Sequence, residues 1–142
     1  MATKAEGFSA AEKSAMKERA SETRRRRGKT SPEEDLAEVL AKIEAMADDD
    51  REIVGRLHEV ITAAAPDLAP KTWYGMPAYY KDGKVVCFVQ DAGKFKYRYC
   101  TLGFQDAAAL DDGAMWPTSY AVTTVTAAVA KQVTALVRAA VS

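Results

Sequence analysis

The residues with the clearest chemical potential are three cations spaced two apart, Lys94, Lys96 and Arg98, interleaved with Phe95, Tyr97 and Tyr99. A period of two predicts a strand over Lys94–Thr101, with the aromatics turned to one side and the cations to the other. One reading is a half-buried strand with a solvated basic face. The other is a shallow anion site on a cupped sheet face, in which a neighbouring strand sets Val86 and Phe88 beside the bases. Arg98 is the best carboxylate or phosphate fork of the three, because its planar guanidinium donates two parallel hydrogen bonds. Trp73-Tyr74-Gly75-Met76-Pro77 sets two large aromatics next to Gly and Pro. It reads as a core anchor at a bent edge strand or as the lip of a pocket gripping a flat ligand. The ligand-binding candidates are therefore Trp73, Tyr74, Met76, Phe88, Lys94, Lys96 and Arg98.

A second group is acidic: Glu33, Glu34, Asp35 and Glu38, then Asp48-Asp49-Asp50. Helix starts favour negative charge, which accounts for most of it. Hard-cation binding by Glu34, Asp35 and Glu38 is the alternative. Cys87 and Cys100 are far from metal-binding spacing, and His58 is the one histidine, so both cysteines are expected as buried free thiols. Arg24–Arg27 offers charge to phosphates, but no base-reading element accompanies it, so nucleic acid ranks below the other partners. No P-loop, dinucleotide-binding glycine pattern, His-Glu-x-x-His or Gly-x-Ser-x-Gly is present, which disfavours an enzyme.

The elements that must position these residues follow from caps and periodicity. Ser9 with Glu12 forms a capping box for a helix over 9–28 that contains one large apolar residue, Met16. With no apolar stripe to bury, residues 1–30 are expected to form a solvated, basic N-terminal helical arm. Ser31-Pro32-Glu33-Glu34 starts a second helix, continued by Leu36, Val39, Leu40, Ile43 and Met46. Asp48-Asp49-Asp50 is expected to cap a third, carrying Ile53, Val54, Leu57 and Ile61 and stopped by Pro66. Strand signals run from Lys71, are bent at Gly75-Met76-Pro77, turn at Lys81-Asp82-Gly83-Lys84, and resume over Val85–Gln90. A three-residue loop with Gly93 left-handed joins that strand to Lys94–Thr101. A short helix over Phe104–Leu110, a strand over Ser119–Thr124 and a helix over Thr126–Val141 complete an α+β fold with a mainly antiparallel sheet.

The chain has 142 residues and a net charge of zero, unevenly spread. Residues 1–30 hold nine Lys/Arg against four Glu, residues 31–69 eleven acids against three bases, and residues 70–103 six bases against two acids. The length suits one domain, 31–142, beside the arm. No apolar leader or bilayer-length run is present, and two cysteines are too few for a disulfide scaffold, so a reducing cytoplasm is the expected home.

Residues 70–124 resemble the YdhG-like family, catalogued largely as a domain of unknown function. The resemblance rests on Trp73-Tyr74-Gly75-Met76-Pro77-Ala78-Tyr79, Gly83-Lys84-Val85-Val86-Cys87-Phe88, Lys94–Tyr99, Leu102-Gly103-Phe104 and Met115-Trp116-Pro117. With the flanking helices its outline covers roughly residues 33–142. The family is similar to frataxin in general outline, and some members are regarded as iron chaperones. The resemblance thus implies a sheet packed on helices and iron delivery as one role. The iron-chaperone branch carries Lys-Lys-His at the hairpin where this chain has Ala92-Gly93-Lys94. Two functions follow as expectations. One is a binding protein for a small anionic molecule or a protein partner. The other is a frataxin-like iron-binding chaperone using the acidic helices.

Overall fold

The computed structural model describes residues 8–142. Three helices come first: α1 (Ala10–Arg27), α2 (Pro32–Glu44) and α3 (Asp48–Ala64). The capping boxes Ser9/Glu12 and Ser31/Glu34 both form, and Pro32 sits at the first helical position of α2. The N-cap of α3 is Ala47, which offers no side-chain acceptor. Asp48, Asp49 and Asp50 therefore occupy the first turn rather than the cap, where their charge still suits the helix dipole.

Five strands follow, β1 (Ala69–Trp73), β2 (Met76–Lys81), β3 (Lys84–Gln90), β4 (Cys100–Phe104) and β5 (Ser119–Val122), then α4 (Ala127–Ala140). They form one antiparallel sheet in the order β1-β2-β3-β4-β5, with helices packed on it, so the fold is α+β. The β2–β3 hairpin closes through Asp82-Gly83, both left-handed at φ 51° and 79°. The β1–β2 hairpin closes the same way through Tyr74-Gly75, at φ 53° and 78°. Trp73 pairs with Met76 across it, so the Gly75-Met76-Pro77 bend is a full reversal that splits the expected strand in two.

The register sorts the sheet into two faces. Tyr79 pairs with Cys87 and Cys87 with Phe104, while Val89 pairs with Leu102 and Cys100 with Val122. These residues share one buried cluster with Val39 and Ile43 of α2, Val54, Leu57 and Ile61 of α3, and Val133 and Val137 of α4. The opposite face carries Trp73, Met76, Ala78, Phe88 and Gly103, since Ala78 pairs with Phe88 and Phe88 with Gly103. Phe88 lies so close over Gly103 that a Cβ there would overlap its ring.

Further expectations change. The strand placed over Lys94–Thr101 is a loop as far as Tyr99, and β4 starts at Cys100. A short 3₁₀ turn, Ala92–Lys94, follows β3, so Gly93 is not left-handed as expected; Lys96, at φ 61°, takes that conformation instead and breaks the alternation of the aromatics. Asp50 fixes this loop by accepting the Gly93 N–H at 2.9 Å. The short helix expected over Phe104–Leu110 does not form, because Phe104 belongs to β4 and Gln105 donates to the Val86 carbonyl. Finally, α1 is docked rather than solvated. Its inward residues Ala11, Ala15, Glu18, Glu22 and Arg26 recur at helical spacing, but they are small or charged instead of apolar. Ala15 and Glu22 are buried, and Arg26 donates to the Thr72 carbonyl on edge strand β1 at 2.6 Å.

Candidate functional site

The cationic row anticipated on one strand is dispersed by the loop that replaces it. Lys94 turns inward to Glu18 of α1 at 3.0 Å, and its side chain is 13 % exposed. Lys96 is held in the left-handed turn. Arg98 lines a cavity against α3, while Lys94 lines a separate one of about 350 Å³ with Glu18 and Lys42. Trp73 and Phe88 meet edge to face at 5.3 Å, and Trp73 meets Tyr74 at 5.1 Å. Met76 is buried beside them. All of these lie on the sheet face opposite Cys100 and Val122, so Trp73 is no stacking wall for a ligand held by Arg98. The single cupped face combining aromatics and bases is thereby resolved into two separate surfaces.

The cavity at Arg98 measures about 430 Å³. One wall is the first turns of α3, with Asp49, Asp50, Glu52, Ile53 and Arg56; the other is Ala92, Tyr99, Cys100 and the segment Val122–Val125. Its charges are mixed. Asp50 is committed: its two oxygens serve the Gly93 N–H and the Cys100 thiol at 3.7 Å. Arg56 reaches Glu59 at 3.3 Å. Asp49, Glu52 and Arg98 make no ion pair among the described residues, and Arg98 lies over the Tyr99 ring at 5.5 Å. Two uncommitted carboxylates and one uncommitted guanidinium thus face a single space, with Ile53 and Val122 as apolar lining. Such a site can hold a ligand bearing opposite charges, with the fork of Arg98 taking its anionic group.

Both thiols are inert in this setting. Burial pushes Cys87 up to about 12 and Cys100 up to about 11, the latter with further help from the charge of Asp50. They are free and buried. Nucleophilic chemistry needs a thiolate, which these environments oppose. His58 is also structural: its Nδ1 lies 2.7 Å from the Tyr79 hydroxyl. Burial holds His58 below its ordinary value, partly opposed by Glu59, and raises the Tyr79 phenol well above its own. Tyr79 therefore keeps its proton and donates to a neutral imidazole.

The three acids considered for metal do not converge. Glu34 accepts from the Ser31 backbone and is held below the usual carboxylate range by those hydrogen bonds. Asp35 is buried and accepts from Thr30 at 2.6 Å. Glu38 accepts from Thr72 at 2.7 Å and pairs with Arg25. Among the described residues no three His, Cys, Asp or Glu side chains are grouped to hold a metal ion. Nor is any described helix long and apolar enough to cross a membrane.

Several residues important here escaped the sequence reading. Asp49 was absorbed into a capping role and Glu52 was not singled out, yet both line the cavity from the first turns of α3. Glu18 and Glu22 were assigned to a solvated arm. Their spacing with Ala11 and Ala15 was the available signal, since small residues at helical intervals allow close approach. No family model, curated protein or solved structure matches the chain.

Proposed function

We propose that the chain is a binding protein for a small organic acid that also carries a cationic group, seated in the cavity between the start of α3 and the Val122–Val125 segment. One observation carries this reading: Arg98, without an acidic partner among the described residues, shares the cavity with the uncommitted carboxylates of Asp49 and Glu52. Arg98 would take the ligand's carboxylate or phosphate, and the two acids its ammonium. The volume lies within the ordinary range for small-molecule sites. On this reading the YdhG-like resemblance accounts for the scaffold, and the charged lining sets the ligand.

A thermal-shift screen of amino acids, simple carboxylic acids, amines and phosphate esters tests it. An amino acid or comparable zwitterion should raise the melting temperature of the full chain. Its deaminated and decarboxylated analogues should act less. Arg98→Ala should remove the shift while leaving the unliganded melt close to wild type. A zwitterion whose effect survives Arg98→Ala, or a simple anion that outperforms every zwitterion, would refute the assignment.

A further inference from the structure

The surface beneath α1 is built to receive carboxylates. Glu18 and Glu22, four residues apart, project from one face of the helix. The Glu18 carboxylate bridges two ammonium groups, Lys42 Nζ at 2.8 Å and Lys94 Nζ at 3.0 Å. Burial pushes the Glu18 carboxyl up, but both lysines outweigh this and hold it below its ordinary value. Glu22 is 2 % exposed and accepts two consecutive backbone amides, Tyr74 N–H at 3.0 Å and Gly75 N–H at 2.8 Å. Consecutive turn amides of this kind form an anion-binding concavity. The receptor thus draws on three elements: α2, the 3₁₀ turn and the β1–β2 reversal. Gly75 serves twice, through its left-handed backbone and because a Cβ there would collide with the Glu18 carboxylate.

What occupies this receptor is weakly retained. α1 buries no large apolar side chain; only Ala15 and Glu22 are buried along its length. Its remaining grips are polar: the half-exposed pairs of Arg25 with Glu38 and Glu18 with Lys42, the Lys94 pair, and the Arg26 bond to the Thr72 carbonyl, each open to exchange with water once the helix lifts. The link to α2 runs through Gly28 and the left-handed Lys29, a short hinge. The fit is also incomplete. Arg26 lies 6.0 Å over the Tyr80 ring, yet the buried Tyr80 hydroxyl has no hydrogen-bond partner.

We propose that α1 is a displaceable internal ligand. The site beneath it is a receptor for a helix of a partner protein bearing two carboxylates one turn apart followed by arginine. In α1 that pattern is Glu18, Glu22, Arg25 and Arg26, with Arg25 answering Glu38 of α2. The two anion seats lie one helical turn apart, which suits a helix better than a free anion. This inference is independent of the Arg98 cavity.

The probe is a fluorescein-labelled peptide of residues 8–29, titrated into the full chain and into the full chain carrying E18Q and E22Q. The variant, whose own helix has lost its grip, should bind the peptide at least tenfold more tightly than wild type. A peptide with the same two substitutions should bind at least tenfold more weakly than the parent peptide. Equal affinity for the two chains, or undiminished binding of the substituted peptide, would overturn the proposal. Because Glu22 is buried, a second full-chain variant keeps the test decisive if the first misfolds. K42Q with K94Q should lower hydrogen-exchange protection of the α1 amides at least tenfold while α3 keeps its own. Retained protection in α1 would overturn the proposal as well.

Discussion

Replacing Glu22 by Ala tests the polar docking of α1 most directly. In the wild type, two amides of the β1–β2 turn end on one carboxylate, at 3.0 and 2.8 Å. A hydrogen bond to a charged group contributes about 1.5–3 kcal/mol net, so two sum to about 3–6 kcal/mol. Burying the carboxylate offsets part of this, because desolvation of a charge recovers poorly even when hydrogen bonds are good. The Arg19 guanidinium is 3.7 Å away, at the long end of ion-pair distance, and more than a third exposed to solvent, so it restores little. The helix can also lift and let water reach the amides, which caps the loss at the docking free energy of α1. The expected net cost is about 2–3 kcal/mol. That corresponds to a fall of about 6–10 °C in melting temperature for a chain of this size. Urea unfolding followed by circular dichroism measures it, and the midpoint should move to lower urea. Glu22→Gln keeps one acceptor oxygen and should cost about half as much. An E22A chain within about 0.5 kcal/mol of wild type, the ordinary range for surface changes, would refute the argument and return α1 to the status of a solvated arm.

Other perturbations should read out separate parts of the structure. Gly103→Ala should displace the Phe88 ring and cost about 1–3 kcal/mol by overpacking. In a Phe88→Ala background the same change should be nearly neutral, and a double-mutant cycle of urea midpoints with no coupling would contradict the contact. Because both thiol values lie far above neutrality, Cys87 and Cys100 should resist a thiol reagent at pH 8 in the native chain and react at once in denaturant; rapid native labelling would place a cysteine at the surface. His58 resists protonation when folded, so the unfolded chain binds its proton first, and stability should fall as pH drops below about 6.5. His58→Gln should flatten that part of the profile, and a variant with the wild-type slope between pH 7.5 and 5.5 would refute this origin.

Local chemistry made much of the fold legible. Ser9/Glu12 and Ser31/Glu34 announced two helix starts, and Asp82-Gly83 announced a hairpin, because each pattern satisfies backbone groups within a few residues. The second hairpin was harder to read. Its first turn residue is Tyr74, and an aromatic side chain in the left-handed region is stabilised from outside, by the Glu22 carboxylate 52 positions earlier in the chain. The alternation of Phe95, Tyr97 and Tyr99 misled for a related reason. Period two records a possible face, not a partner strand, and the tie between Asp50 and Gly93 turns that stretch into a loop. Arg98 was identified as a candidate from its type and flanks. The carboxylates opposite it were not, since nothing local brings α3 against Tyr99. For α1, counting large apolar residues left out a docking surface made of alanines and charges.

The bond from Arg26 to the Thr72 carbonyl has a consequence for the protein at high concentration. Thr72 lies between the hydrogen-bonded pairs of β1 and β2, which turns its carbonyl outward, and there the Arg26 guanidinium answers it. At the other margin, Ser119 and Ala121 lie between the hydrogen-bonded pairs of β4 and β5, which turns their backbone groups outward. A molecule whose first helix has swung away would therefore present an unguarded strand at each side of the sheet, and two such margins can propagate a chain of molecules rather than close a pair. Turbidity or light scattering of dilute and concentrated samples, with and without that helix released, would then track colloidal stability as a direct readout of a single arginine.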